Sequence, residues 1–110
     1  MKHGFIYIMF NKNRTVLYIG VTNNLERRVL EHKASTGGRF TSKYNLFDLL
    51  YWEQINGIKL AIQREKQLKN WHSEWKWNLI KEENPRLNDL LKDWYTKQEI
   101  EEYRKNIKAD

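Results

Sequence analysis

The chain begins with two short apolar runs separated by a polar turn. Gly4-Phe5-Ile6-Tyr7-Ile8-Met9-Phe10 and Thr15-Val16-Leu17-Tyr18-Ile19-Gly20-Val21 are rich in aromatic and β-branched residues, and Asn11-Lys12-Asn13-Arg14 joins them. Such runs read as strands, and so short a connection predicts an antiparallel hairpin. Asn23 offers a cap for a helix over residues 24–34, with Glu26 completing a capping box. Leu25, Val29 and His32 fall on the inner face of that helix, with Arg27, Arg28, Glu31 and Lys33 on its polar sides. Residues 35–45 read as a loop carrying Arg39, Thr41, Ser42 and Lys43. A third strand follows over 47–54, and its unbroken apolar centre predicts a central position covered on both faces.

Further on the period becomes helical. Ile58, Ala61, Ile62, Glu65 and Leu68 lie along one stripe, where Glu65 is the carboxylate in an otherwise apolar row. Another helix starts at Ser73 and stops at Asn84-Pro85, since proline disfavours helix at the residue before it. Leu87, Leu90, Leu91, Trp94 and Tyr95 mark a further helical stripe. Thr96 and Glu99 form a second capping box, for a last helix carrying Ile100, Tyr103 and Ile107. The expected fold is α+β: a three-stranded antiparallel sheet flanked by helices, with extra C-terminal helices.

Composition narrows the function. The 110 residues suit one domain. The absence of cysteine excludes disulfides, thiol catalysis and cysteine-based zinc sites. No apolar run approaches the length of a membrane span and the start lacks a signal peptide, so the expectation is a cytoplasmic protein with no membrane partner. The net charge is +6; residues 1–83 hold fourteen Lys+Arg against eight Asp+Glu, and residues 84–110 hold six of each. A basic excess confined to the first three quarters favours a polyanion, with nucleic acid leading; a basic protein without such a partner is the plainer alternative.

Two phenols, Tyr7 and Tyr18, lie on consecutive strands of the hairpin. Arg28 and His32, four apart, share a helix face just beyond it. With Glu65 these groups suit metal-assisted phosphodiester hydrolysis. A carboxylate holds a divalent ion, a guanidinium matches phosphate geometry, and a phenol or imidazole helps to deprotonate water. Each also has a plain reading, as core tyrosine, solvated arginine, helix-end histidine or ion-paired glutamate. Spacing alone does not decide between them. Trp71, Trp75 and Trp77 could stack on bases or simply pack helices. The stripe from Leu87 to Tyr95 could dock a protein partner or the domain's own core.

The order of these residues resembles the GIY-YIG nuclease superfamily. Gly4-Phe5-Ile6-Tyr7, ten residues, then Tyr18-Ile19-Gly20 is similar to its signature, with Gly-Phe-Ile-Tyr standing in place of Gly-Ile-Tyr. The stretch from Val21 to His32 resembles the family's helix, Ala61 to Lys69 its glutamate segment, and Asn84-Pro85 onward the tail of small stand-alone bacterial members. The same features are similar to the N-terminal nuclease domain of the excision-repair endonuclease C subunit and to GIY-YIG homing endonucleases. The resemblance covers residues 4–95 and implies a nuclease domain over 1–95, with 96–110 a helical extension of it. It implies a DNA (or RNA) substrate and a metal-dependent DNA endonuclease or nuclease-like repair or recombination factor. The alternative is a non-catalytic nucleic-acid-binding module that keeps the fold.

By position the resemblance implies that Tyr7 or Tyr18 activates water, with Tyr7 favoured. Arg28 would stabilise phosphoryl charge, and His32 would assist proton transfer or bind phosphate. Glu65 would be the protein ligand of Mg2+ or Mn2+. Asn84 is the expected polar partner and Asn78 its rival. Arg27, Arg39, Lys43 and Lys69 are expected to contact phosphates. Gly20 would let the backbone approach the site, or serve a strand-end bend. Oligomeric state and sequence specificity stay open.

Overall fold

A computed structural model describes residues 3–34, 43–90 and 94–109. Among these, the elements are β1 (His3–Phe10), β2 (Leu17–Thr22), α1 (Leu25–Lys33), β3 (Asp48–Asn56), α2 (Ile58–Lys69), α3 (Ser73–Glu83) and α4 (Lys97–Ala109). The strands form a three-stranded sheet in the order β2-β1-β3, with β1 antiparallel to both neighbours. The α+β architecture expected from the sequence is therefore the one observed.

The central strand is β1, not β3. From Ile6 to Phe10 every residue of β1 is buried, whereas β3 is fully covered only at Leu49, Leu50 and Tyr51 and alternates with solvent from Trp52 onward. Side-chain alternation divides the core in two. Ile6, Ile8 and Phe10 point to one face with Ala61, Leu68 and Ile80, beneath α2 and α3. Tyr7 and Met9 point to the other with Leu25 and Val29 of α1 and Leu46 and Leu49. At Gly4 a Cβ would lie 2.5 Å from that of Ala61, so the missing side chain seats α2 on β1.

The hairpin turn closes through Asn11, whose Oδ1 accepts from the backbone of Thr15 at 2.8 Å and Val16 at 3.0 Å. Arg14 turns the chain in the left-handed region (φ 59°). Its guanidinium reaches Asp48 at 2.6 Å and the Leu87 carbonyl at 3.1 Å, tying the turn to β3 and to the segment after α3.

That segment is not helical. Residues 84–90 form turns and irregular backbone, with Leu87 at φ 55°; residues 91–93 lie outside the described residues. The Leu90 N–H donates to the Leu49 carbonyl at 2.8 Å, and Asp89 Oδ1 accepts from Leu49 N at 3.0 Å, so the segment runs along the start of β3. Lys33 fixes Asp89 from α1 at 2.5 Å. Leu87 packs on the α2–α3 core, as its apolar character requires, without a helix to carry it.

Two caps set helix ends. The cap of α1 is Asn24, one residue beyond the expected Asn23, its Oδ1 accepting from Arg27 N at 3.1 Å; Glu26 is then no longer in capping-box register. The Thr96–Glu99 box forms as expected, with reciprocal bonds of 3.1 Å. The end of the chain is held to α1: the Tyr95 hydroxyl donates to the Glu26 carbonyl at 2.8 Å and Arg104 to that of Ala34 at 3.4 Å.

Candidate active site

The site begins with an absent side chain. Tyr7 on β1 lies directly opposite Gly20 on β2. A Cβ at Gly20 would overlap the Cζ and hydroxyl of Tyr7 and come within 2.8 Å of the Tyr18 ring. Glycine here lets the Tyr7 ring lie across β2, so of the two expected readings the close approach is the one that the geometry supports. Tyr18, opposite Met9, takes the diagonal position on the same face, and the two phenol rings are centred 6.1 Å apart.

Helix α1 follows β2 after two residues and crosses this face, with Leu25 and Val29 buried against it. The i, i+4 spacing places Arg28 and His32 together over Tyr7. Arg28 Nε donates to the Tyr7 hydroxyl at 3.1 Å, and His32 Nε2 lies 3.4 Å from the same oxygen. The imidazole ring is 5.6 Å from the Tyr7 ring and 6.2 Å from that of Tyr18. Four of the expected residues, from two strands and one helix, are thus joined around one phenolic oxygen.

Their ionisation follows from burial. Tyr7 is 1% exposed, and desolvation of the phenolate pushes its pKa up to about 12, although the Arg28 guanidinium pulls the other way. His32 is equally buried; desolvation, then the neighbouring Arg28 charge, holds it down at about 4. At neutral pH the cluster therefore holds a protonated phenol, a neutral imidazole and a guanidinium. Arg28 also lies 3.7 Å from Glu31, a neighbour whose i, i+3 spacing was visible in the sequence but whose role was not. His32 Nδ1 is buried and finds no hydrogen-bond partner among the described residues.

Glu65 stands on α2, which packs against both β1 and β2 from the opposite face of the sheet. Its side chain is 17% exposed, and the carboxylate pairs with Lys69 Nζ at 3.2 Å. Lys69 in turn lines a hollow of about 440 Å³ along the β2 edge with Leu17, Tyr18, Ile19 and Lys76. Tyr18 and Lys69, the ion-pair partner of Glu65, thus both border this edge. Among the described residues no three His, Asp or Glu side chains group to enclose a metal. A single carboxylate suits a hard divalent ion that keeps water and substrate oxygens in its shell.

Asn84 does not join the tyrosine cluster. It is 5% exposed, and its side chain serves the turn after α3: Nδ2 donates to the carbonyls of Leu50 at 3.1 Å and Asn88 at 2.8 Å, while Oδ1 accepts from Asn88 N at 3.2 Å. Its polar capacity is spent on backbone. The rival Asn78 is exposed on α3, beside Trp71, Trp75, Leu79 and Glu82 around an apolar hollow of about 410 Å³. Of the three tryptophans, Trp77 packs on Phe10 at 4.9 Å and Trp71 lies under Arg64, while Trp75 is 52% exposed. Arg27 and Lys43 are exposed, as phosphate contacts require, and Arg39 lies outside the described residues. No helix among the described residues is long and apolar enough to cross a membrane.

Known proteins place this arrangement. Residues 3–78 match the GIY-YIG catalytic domain. The chain is 33% identical to a UPF0213 protein of Natronomonas pharaonis over 79 residues, which cover 72% of this chain and 92% of that one. It is 32% identical to a UPF0213 protein of Staphylococcus haemolyticus over 81 residues, covering 74% and 96%. It is 34% identical to one of Clostridium perfringens over 85 residues, covering 73% and 90%. No solved structure matches the chain. The matched residues hold the hairpin, the tyrosine cluster, α1 and the Glu65 helix in order, and with them the chain belongs to the GIY-YIG catalytic-domain family.

Proposed function

We propose that the protein is a divalent-metal-dependent endonuclease that hydrolyses DNA phosphodiesters. The observation that carries this reading is the Tyr7 hydroxyl, held by a guanidinium at 3.1 Å and an imidazole at 3.4 Å in a pocket opened by Gly20. A core tyrosine needs one hydrogen-bond partner, and a half-buried arginine is a costly choice if satisfying it is the only purpose. A phosphate arriving beside Arg28 makes the same group useful.

Arg28 spends Nε on Tyr7 and has Glu31 beside Nη1, so Nη2 is the edge it offers a phosphate oxygen, where it meets the charge that grows as water attacks. Tyr7 is protonated at neutral pH, so it accepts a proton from water only as it passes its own onward. His32 is neutral there, and in the tautomer with hydrogen on Nδ1 its Nε2 can receive that proton. The charge then formed on His32 is offset by the added negative charge on the phosphoryl group. Glu65 would hold Mg2+ or Mn2+, which when bound supplies Lewis-acid stabilisation of phosphoryl oxygens.

Plasmid nicking with Mg2+ or Mn2+ tests this, comparing wild type with Arg28→Ala and Glu65→Ala. Arg28→Ala should lose about a hundredfold or more in rate. Glu65→Ala should lose metal-dependent cleavage while DNA binding persists. A wild-type protein that binds supercoiled, single-stranded and branched DNA yet leaves all uncut with either metal would turn the reading to a non-catalytic binding module, for which the exposed Trp75 offers a stacking surface.

A further inference from the structure

We propose that Lys69 and Lys76 form a subsite for a DNA phosphate flanking the one cleaved, and that Lys69 enters it only when a divalent cation takes its place on Glu65. This rests on the reading of Glu65 as the metal ligand. Four observations meet. The Glu65 side chain is 17% exposed, and a partly covered carboxylate favours a cation beside it. The cation it has is Lys69 Nζ at 3.2 Å, on a side chain 50% exposed and so free to swing away. Lys69 and Lys76 line one hollow with Tyr18, which puts the two lysines along the β2 edge that carries a tyrosine of the candidate site. Lys76 Nζ lies 3.4 Å from the Lys69 carbonyl at the end of α2, where a helix C-terminus favours positive charge and holds the two lysines as neighbours.

In the absence of metal, then, Lys69 serves as the counter-ion of Glu65. Metal binding at Glu65 displaces one cation by another and frees the first for a phosphate in the adjoining hollow. Among the described residues Lys76 has no carboxylate partner to leave, so it contacts phosphate with or without metal. The metal should therefore strengthen DNA binding through a residue that does not touch it.

Two measurements test this. The first is Mn2+ binding to the free protein, by electron paramagnetic resonance or calorimetry. Lys69→Met should bind Mn2+ about threefold more tightly than wild type, the competing ion pair being half exposed and of modest strength. The second is fluorescence anisotropy with a short duplex oligonucleotide in a Tyr7→Phe background that suppresses cleavage. There Lys69→Met should weaken binding and lower the salt slope by about one in Mn2+, with little change in EDTA, while Lys76→Met should do so in both. Equal or weaker Mn2+ binding by Lys69→Met, or an equal loss of DNA affinity in EDTA and in Mn2+, would overturn the exchange. Unchanged Mn2+ binding by Glu65→Gln would instead remove Glu65 as the metal ligand, and the nuclease reading with it.

Discussion

Gly20→Ala isolates the feature on which the site depends. Gly20 does not occupy the left-handed region, so alanine is free to adopt its backbone conformation and the effect of the substitution is steric. Strand backbone should gain roughly 0.5–1 kcal/mol from the replacement. Against this, the new methyl overlaps the Cζ and hydroxyl of Tyr7, a ring that is 1% exposed and closed in on its far side by His32 and Arg28. Overpacking of this kind costs about 1–3 kcal/mol. If the ring is driven from its place, the bond from the charged Arg28 goes too, at roughly 1.5–3 kcal/mol. The net destabilisation should be about 2–4 kcal/mol. That corresponds to a fall in Tm of roughly 10 °C or more. A double-mutant cycle makes the cause visible. In a Tyr7→Leu background the methyl finds space, and Gly20→Ala should become neutral or stabilising by up to about 1 kcal/mol. Thermal unfolding of the four proteins gives the coupling directly. If Gly20→Ala were equally damaging with Leu and with Tyr at position 7, the clash would not be its cause. The account of why this glycine stands at the site would then be wrong.

Two further effects follow from the buried polar groups. His32 ionises at about 4 in the fold against 6.5 when free, so its contribution to stability is whole above pH 6.5 and is lost as pH falls through the folded value. Urea unfolding at about pH 5 should show roughly 2 kcal/mol less stability than at about pH 7.5 from this group, a difference that His32→Phe should remove. Asn84→Ala should cost about 2–4 kcal/mol in unfolding experiments, because the Leu50 and Asn88 backbone groups lose their partner. Full stability with lost cleavage would return Asn84 to the catalytic set.

The tyrosine cluster was legible because it is local. Hairpin register, the i, i+4 face of α1 and the short link between them all follow from period and turn chemistry. Longer-range choices were not. Leu49, Leu50 and Tyr51 resemble a central strand, yet Ile6 to Phe10 has the same character, and only the order of pairing decides which sits between the others. Leu87 and Leu90 keep helical spacing while the chain between them is irregular. There the competing partners were distant: Arg14 takes the Leu87 carbonyl and Leu49 exchanges bonds with Asp89 and Leu90. The place of Asn84 apart from the tyrosine cluster was hidden for the same reason, since the carbonyl of Leu50 that claims it lies 34 positions away.

The position of β1 at the centre of the sheet has a consequence for how the molecule assembles. This strand precedes both of its neighbours and every helix that covers it. One edge finds β2 across a tight turn, a fast and local closure, and α1 follows at once. Everything from Tyr7 to His32 can therefore come together before β3 or α2 takes part. The other edge and the face beneath α2 wait for segments from residue 48 onward, so apolar Ile6, Ile8 and Phe10 stay uncovered in that interval. The two halves of the site thus differ in contact order. The phenol, guanidinium and imidazole are joined by contacts within the first 32 residues, and the carboxylate arrives with a helix from farther along the chain.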